Sequence, residues 1–249
     1  MSALRAALVP AFVLHRYPYR DSSLLMEAFT AEYGRVGLVA RGARRPSSRT
    51  RGLLQPLRPL LLSWFGRGEL MTLTQAEGAG PPLALAGERV MSAFYVNELV
   101  LRLLARHDPH AALFAAYVRT LEQLQAAPLT AAVLRVFEKR ILEALGYGVD
   151  FAREAGGATP VSAAGRYRVE PQAGPVAASH GVPGRCLLQL AAERLESDSL
   201  PHARRVLAAL LAPHLGPRPL NTPALLRSLR GLERRQGEND ADTSRTTGR

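Results

Sequence analysis

Arginine is concentrated in one short segment of the sequence. The stretch RGARRPSSRTRG, residues 41–52, holds five arginines and no acidic residue. Like charges this close repel one another, so an anionic ligand that neutralises them best explains their presence. Planar guanidinium groups suit phosphate oxygens. The sequence therefore predicts a mobile arm that binds the nucleic-acid backbone through Arg41, Arg44, Arg45, Arg49 and Arg51. The alternative is a solvated loop.

Two more arginines, Arg16 and Arg35, belong to predicted strands that precede this segment, and they complete the predicted DNA-binding set. In RVGLVAR, residues 35–41, alternation puts apolar residues on one face and arginines on the other. Single-strand binders also stack bases on aromatic rings. Tyr17 and Tyr19 are the candidates for stacking, whereas Trp64 fits either stacking or a barrel core.

No group of residues predicts an active site. The six histidines are scattered, and His107 and His110 flank a turn in which capping or solvation suits them better than metal binding. The single cysteine, Cys186, lies among leucines as a core thiol would, and it excludes an internal disulfide or a multi-cysteine metal site. Acidic residues are too sparse near the arginines to hold two magnesium ions. We therefore predict a binding protein with no catalytic residue, metal or cofactor.

The elements that must position these residues fall into regions of different charge. Net charge is +6 over residues 1–80, zero over 81–150 and +5 over 151–249. The first region predicts five short strands, at 11–17, 23–29, 35–41, 57–65 and 69–77. Five strands in this length match an OB-fold barrel, which binds single strands, although an SH3-like barrel has a similar size.

The rest of the chain predicts a helical domain, residues 81–236, and a disordered tail, residues 237–249. The predicted helices cover 87–106, 111–125, 129–145, 185–197, 201–212 and 222–235. A segment rich in glycine and proline, 155–184, is an insert with one hairpin. The fold class is therefore α+β, with an N-terminal five-stranded OB-fold barrel (1–80) followed by an all-helical domain. No apolar run approaches the ~18 residues of a membrane span, so we expect a cytoplasmic, nucleoid-associated protein.

Several long motifs resemble the RecO family of bacterial recombination mediators. The stretches AFVLHRYPYRDSSLLMEAFTAEYGRVGLVARGAR and LLQPLRPLLLSWFGRGELMTLTQAE resemble the family's N-terminal domain. FYVNELVLRLL and VLRVFEKRILEALGYGVDF resemble its helical core. The resemblance spans residues 8–151 and, more weakly, 165–230, and its specificity lies in the order of several motifs.

The resemblance implies binding of single- and double-stranded DNA, annealing of complementary strands and help in loading recombinase. It also implies two protein partners, RecR and the C-terminal tail of the single-stranded-DNA-binding protein. Many members carry a four-cysteine zinc knuckle after the LGY helix. This sequence has no cysteine there, which excludes that zinc site, so the insert must hold its shape by other means or remain loose.

The partner's acidic tail, which ends in an apolar residue and a free carboxylate, needs an apolar pocket with a cation at its rim. In the third predicted helix, Arg135 and Lys139 lie one turn apart beside Leu134. The match to the family makes Arg135 the main candidate for the carboxylate, with Leu61 closing the pocket. Alternatively, Arg135 pairs with a solvent-facing Glu138.

Two rival functions also fit this sequence. An OB-fold also accepts RNA, so an RNA-binding or ribosome-associated protein is the first alternative. A nuclease or other DNA-processing enzyme is the second.

In the first predicted helix, Asn97 and Glu98 are expected to form hydrogen bonds to buried backbone groups or to pair with Arg102.

Overall fold

The computed structural model describes residues 4–126 and 130–222. Five strands form a closed barrel in the order β1-β2-β3-β5-β4, with β3 and β5 parallel and the other neighbours antiparallel. Their bounds are β1 Leu4–Tyr19, β2 Ser23–Thr30, β3 Gly34–Ala40, β4 Pro59–Gly66 and β5 Leu70–Gly78. A helical region follows, so the α+β class and the five-stranded barrel are confirmed.

Alternation along the strands builds the core of the barrel. Met26, Leu38 and Leu62 are fully buried inside, and so is Trp64, which meets Tyr33 edge-on at 5.2 Å between ring centroids. Of its two predicted roles, Trp64 therefore has the one in the core. Strand β1 begins seven residues earlier than predicted. An irregularity in its pairing with β4, between Ala6 and Val9, disguises the alternation there, and Leu8 within it has a positive φ of 50°.

The helices stack around a second apolar core. Their bounds are α1 Glu88–Leu103, α2 Ala111–Ala126, α3 Thr130–Ala144, α4 Gly184–Ala191 and α5 Leu200–Leu215. Helix α1 ends before the predicted Arg106, because the chain becomes extended at Leu104 and pairs with the start of β3. The predicted helix at 222–235 and the predicted tail lie outside the described residues. No helix in the described ranges is long and apolar enough to cross a membrane.

The insert is an ordered three-stranded sheet in this structure. Strands β6 Arg166–Glu170, β7 Gly174–Ala177 and β8 Val182–Pro183 are antiparallel, with β6 in the middle. Tyr167 of β6 is buried, and its hydroxyl accepts a hydrogen bond from the Ser162 backbone N–H at 2.9 Å and donates one to Glu154 at 3.2 Å. A tyrosine with satisfied hydrogen bonds thus anchors the insert.

The barrel and the helical domain share a tight junction. The buried amide of Asn97 donates to the Leu14 carbonyl of β1 at 3.0 Å and accepts from the Tyr117 hydroxyl of α2 at 2.7 Å. Gly34, at the start of β3, has a positive φ of 61°, and a Cβ there would collide with the carbonyl oxygen of Asp108. Asn97 therefore satisfies buried backbone, one of its two expected roles.

Glu98 and Arg102 do not pair with each other. The Glu98 carboxylate accepts from the backbone N–H groups of Asn221 and Thr222 at 2.7 and 2.9 Å. The Arg102 guanidinium donates to the carbonyls of Leu215 and Arg218 at 2.6 and 2.7 Å. Two charged side chains of α1 thus hold the end of α5 and the residues after it, because exposed backbone groups at helix ends need such partners.

Candidate nucleic-acid interface

The helical domain covers only one half of the outer face of β1, β2 and β3. Phe12 and Phe29 on the covered half pack edge-on against Tyr117, at 5.4 and 5.5 Å between ring centroids. Glu27 is buried at the edge of this half, where Arg106 and Arg35 neutralise its charge. The covered half is therefore closed to ligands.

The other half of the same face is open. Tyr17 of β1, Leu25 of β2 and Val39 of β3 are direct cross-strand partners and form one row. Tyr17 is 43% exposed, and its ring lies 4.6 Å from that of His15, centroid to centroid. Leu25 and Val39 are half-buried. An exposed aromatic ring beside an apolar strand surface is a platform on which a base can stack.

The arginine-rich segment between β3 and β4 is folded, and this differs from the predicted mobile arm. Ala43 and Leu54 of the segment are buried in the barrel core. Consecutive turns carry the backbone between them, and the Arg44 backbone N–H donates to the Ser22 carbonyl at 2.8 Å. The apolar residues of the segment, which the charge pattern obscures, fix it across one end of the barrel.

This folded loop, called the basic loop (residues 41–52) below, presents its guanidinium groups to solvent. Within the described ranges, none of the five loop arginines forms an ion pair. Arg41, Arg45, Arg49 and Arg51 are exposed. Arg44 is exposed too, and it donates to the carbonyls of Arg20 and Asp21 at 3.2 and 3.4 Å. The loop is thus a strongly positive surface, although Asp21 lies beside it without forming an ion pair.

The two other predicted DNA-binding arginines occupy different surroundings. Arg16 is half-buried under the loop and donates to the side-chain oxygen of Gln55. Arg35 lies at the opposite end of β3 from Arg41, about 20 Å away along the strand. Its guanidinium donates to the Leu101 carbonyl at 3.0 Å and pairs with Glu27 at 3.7 Å. The structure brings Arg16 to the basic loop and places Arg35 in the domain junction.

Arg135 is buried inside the helical domain. Its side chain pairs with Glu138, which is only 2% exposed, and Glu138 also accepts from the Tyr95 hydroxyl at 2.6 Å. Burial raises the pKa of the Glu138 carboxyl above its ordinary value, and the charge of Arg135 opposes that shift. The alternative pairing of Arg135 with Glu138 is present, but the pair faces the interior where a surface pair was expected.

The remaining tail-binding candidates are dispersed. Lys139 lies 2.8 Å from Glu143 and 3.1 Å from Glu193, and Leu134 is half-buried at the edge of the helical core. Helix α3 packs on α1, α2, α4 and α5, whereas Leu61 lies on β4, whose neighbours are β1 and β5. The structure therefore places three of the four predicted residues on one helix and the fourth on the barrel.

Sequence reasoning missed two kinds of residue at this interface. Leu25 and Val39 join Tyr17 only through strand register, although the alternation of β2 and β3 predicts that both point outwards. Arg106, which neutralises Glu27, lies in the extended segment after α1, and its sequence context carries no signal that relates it to β2. Pairing across domains depends on the tertiary fold, so a sequence pattern does not show it.

Groups with chemical reactivity are few in the described part of the chain. No group of three or more histidine, cysteine, aspartate or glutamate residues there could hold a metal ion. His110 lies 3.1 Å from Asp108, its neighbour in the turn after α1. Cys186 is buried, and burial raises the pKa of its thiol to about 11, so it stays protonated at neutral pH. These surroundings suit structural roles for His110 and Cys186.

Comparison with known proteins gives the same family along nearly the whole chain. The family models described as "Recombination protein O N terminal" and "Recombination protein O C terminal" match residues 4–82 and 85–224. The DNA repair protein RecO of Nitrosococcus oceani is 48% identical over 236 residues, which cover 92% of this chain and 96% of the relative. The DNA repair proteins RecO of Alkalilimnicola ehrlichii and Thiobacillus denitrificans are 48% and 45% identical to this chain, and the matched residues cover 94% and 91% of those relatives. The chain belongs to the RecO family.

Proposed function

We propose that this protein is a DNA repair and recombination mediator that binds single-stranded DNA and anneals complementary strands. It would also help to load recombinase onto DNA coated with the single-stranded-DNA-binding protein, with RecR as a second partner. The observation that carries this proposal is the open half of the sheet face, at Tyr17, beside a loop of five solvent-facing arginines. Family membership supports the same role.

The chemistry of this surface suits annealing. Guanidinium groups such as those of Arg45 and Arg49 contact phosphates and do not read bases. A base stacked on Tyr17 presents its ring face to the protein and keeps its hydrogen-bonding edge free. A strand held in this way remains able to pair with its complement. The proposal requires no nucleotide, metal ion or covalent step.

The tail of the single-stranded-DNA-binding protein is proposed to bind at α3, with its carboxylate near Arg135 and Lys139 and its apolar end near Leu134. Because Arg135 is paired with Glu138, the carboxylate must compete with an internal acid. We keep Leu61 as a contact for the same partner on the barrel, since it is half-buried and borders the solvent.

Strand annealing tests the proposal directly. Complementary strands coated with the single-stranded-DNA-binding protein should anneal faster with this protein, in the presence of a chelator and without nucleotide. Cleavage of the strands in a parallel reaction with magnesium in place of the chelator would support the nuclease alternative. RNA that displaces the DNA at equal concentration would favour the RNA-binding alternative. Failure to accelerate annealing of either naked or coated strands would contradict the proposal.

A further inference from the structure

A row of outward-facing residues continues from Tyr17 around the barrel. Successive cross-strand partners lead from Tyr17 to Leu25, Val39 and Thr72, and from Thr72 to Phe65 of β4. The row thus crosses β1, β2, β3, β5 and β4 in the order in which the closed barrel presents them. Its contour measures about 19 Å, since four steps of about 4.8 Å separate the first strand from the last.

The far end of this row has the same chemistry as the near end. Phe65 is 51% exposed although its chain neighbour Trp64 is fully buried, which shows that the phenyl ring points away from the core. Its cross-strand partner on β1 is Arg5, an exposed arginine, and Arg67 in the following turn is exposed as well. An aromatic ring beside solvent-facing cations is a base platform with phosphate contacts at its edge.

The charges around Phe65 favour an anionic ligand. Neither Arg5 nor Arg67 forms an ion pair with any described residue. The one acid in the turn between β4 and β5, Glu69, lies 3.4 Å from the Arg106 guanidinium. The residues between the two aromatic ends, Leu25, Val39 and Thr72, carry no charge, so they offer a surface over which bases can lie.

We propose that Phe65 is a second base-stacking platform and that Arg5 holds the adjoining phosphate, so that one DNA strand runs across the barrel from Tyr17 to Phe65. This inference rests on the proposed function and adds the path of the strand to it. The path lies at right angles to the β-strands and extends the interface to a wall of the barrel remote from the basic loop. It accommodates on the order of 4 nucleotides or more, within the range for one OB-fold.

Oligonucleotide length separates the two ends of the path. With oligothymidylate of about 16 nucleotides, Phe65→Ala should weaken binding about 5-fold or more, and Phe65→Tyr should restore it because a ring is retained. With oligothymidylate of about 2 nucleotides, which is shorter than the path and can be held at the Tyr17 end alone, Phe65→Ala should bind as the wild type does. Tyr17→Ala should weaken both.

Phe94→Ala is the matched control, because Phe94 is an exposed phenylalanine on α1, outside the barrel. If Phe65→Ala binds the longer oligonucleotide as tightly as Phe94→Ala does, the path is wrong, even when Tyr17→Ala supports the proposed function. A Phe65→Ala variant that loses only binding to a protein partner would also overturn the path. If the wild type binds neither length, the proposed function fails and the path fails with it.

Discussion

Asn97 and Tyr117 form a buried hydrogen bond of 2.7 Å that joins α1 to α2, and the same asparagine reaches 3.0 Å to the Leu14 carbonyl of the barrel. One amide therefore uses both its donor and its acceptor to fix three elements together. Among the described residues, no other side chain hydrogen-bonds to the Leu14 carbonyl or to the Tyr117 hydroxyl.

Removal of this amide should destabilise the whole protein. In Asn97→Ala, the Leu14 carbonyl and the Tyr117 hydroxyl both lose their buried partner. We expect the free energy of unfolding to fall by about 1–3 kcal/mol, measured by urea denaturation. Gln123→Ala, an exposed polar residue on α2, is the control and should unfold like the wild type. Equal stability of the two variants would refute the linking role of Asn97.

The basic loop should control the salt dependence of DNA binding. For a single strand, removal of one arginine–phosphate interaction flattens the slope of log affinity against log salt by about 0.7, so Arg45→Ala with Arg49→Ala should flatten it by about 1.4. The control is the double variant Arg119→Ala and Arg194→Ala, which removes the same charge from the helical domain. Should both double variants change the slope equally, the loop would have no special part in binding.

Competition between Glu138 and a partner's carboxylate gives a test of the proposed tail site. Arg135→Ala should weaken binding of a peptide with the tail's chemistry by about 1.5–3 kcal/mol, the scale of a charged hydrogen bond. Glu138→Gln should strengthen it, because it leaves Arg135 without its internal anion. Calorimetry measures both, and binding to naked DNA should stay unchanged. Identical peptide affinity in the three proteins would place the tail site elsewhere.

The burial of Glu138 also predicts a pH effect. Its pKa is raised in the folded protein, so the contribution of this group to stability is greatest below its ordinary value of 4.5 and is lost as the pH rises through the raised pKa. Relative to the wild type, Glu138→Gln should therefore gain stability as the pH increases from 4.5 towards neutrality. Urea denaturation at several pH values measures this difference. A difference that stays constant, or that changes in the opposite sense, would contradict the raised pKa.

Gly34 should tolerate no side chain. Its positive φ costs an L-residue about 1–2 kcal/mol, and the collision with Asp108 adds to that cost, so Gly34→Ala should lower the melting temperature markedly. Gly52→Ala is the control, because a Cβ at Gly52 meets nothing within 4 Å. Similar melting temperatures for the two variants would mean that the junction between β3 and the turn after α1 is adjustable.

Local patterns predicted most of the elements, and contacts between elements account for the differences. The alternation of β2 and β3 and the apolar stripes of α2 and α3 are complete within each segment, so their bounds came within one or two residues. Helix α4 ends at Ala191 and not at the predicted residue 197, because the backbone leaves the helical conformation at Glu193, whose φ is 56°. Leu195 is then buried in the core from an irregular segment.

The surroundings of the candidate residues were predictable where their charge is exposed and less so where it is buried. The loop arginines stand out because no acid lies near them in sequence. Arg35 and Arg135 look the same in sequence, yet each is neutralised by a glutamate whose burial the sequence does not reveal. The spacing of Arg135 and Glu138 indicates a pair, but not which side of α3 faces inwards.

Because Tyr167 anchors the insert, the folding of the insert depends on hydrogen bonds and not on a metal ion. A knuckle of four thiolates depends on the supply of zinc and is open to oxidants that attack sulfur. Here the hydroxyl of Tyr167 holds the corresponding strands, and the one thiol in the sequence, that of Cys186, is buried and protonated. The insert should therefore stay folded during metal starvation and under oxidative stress.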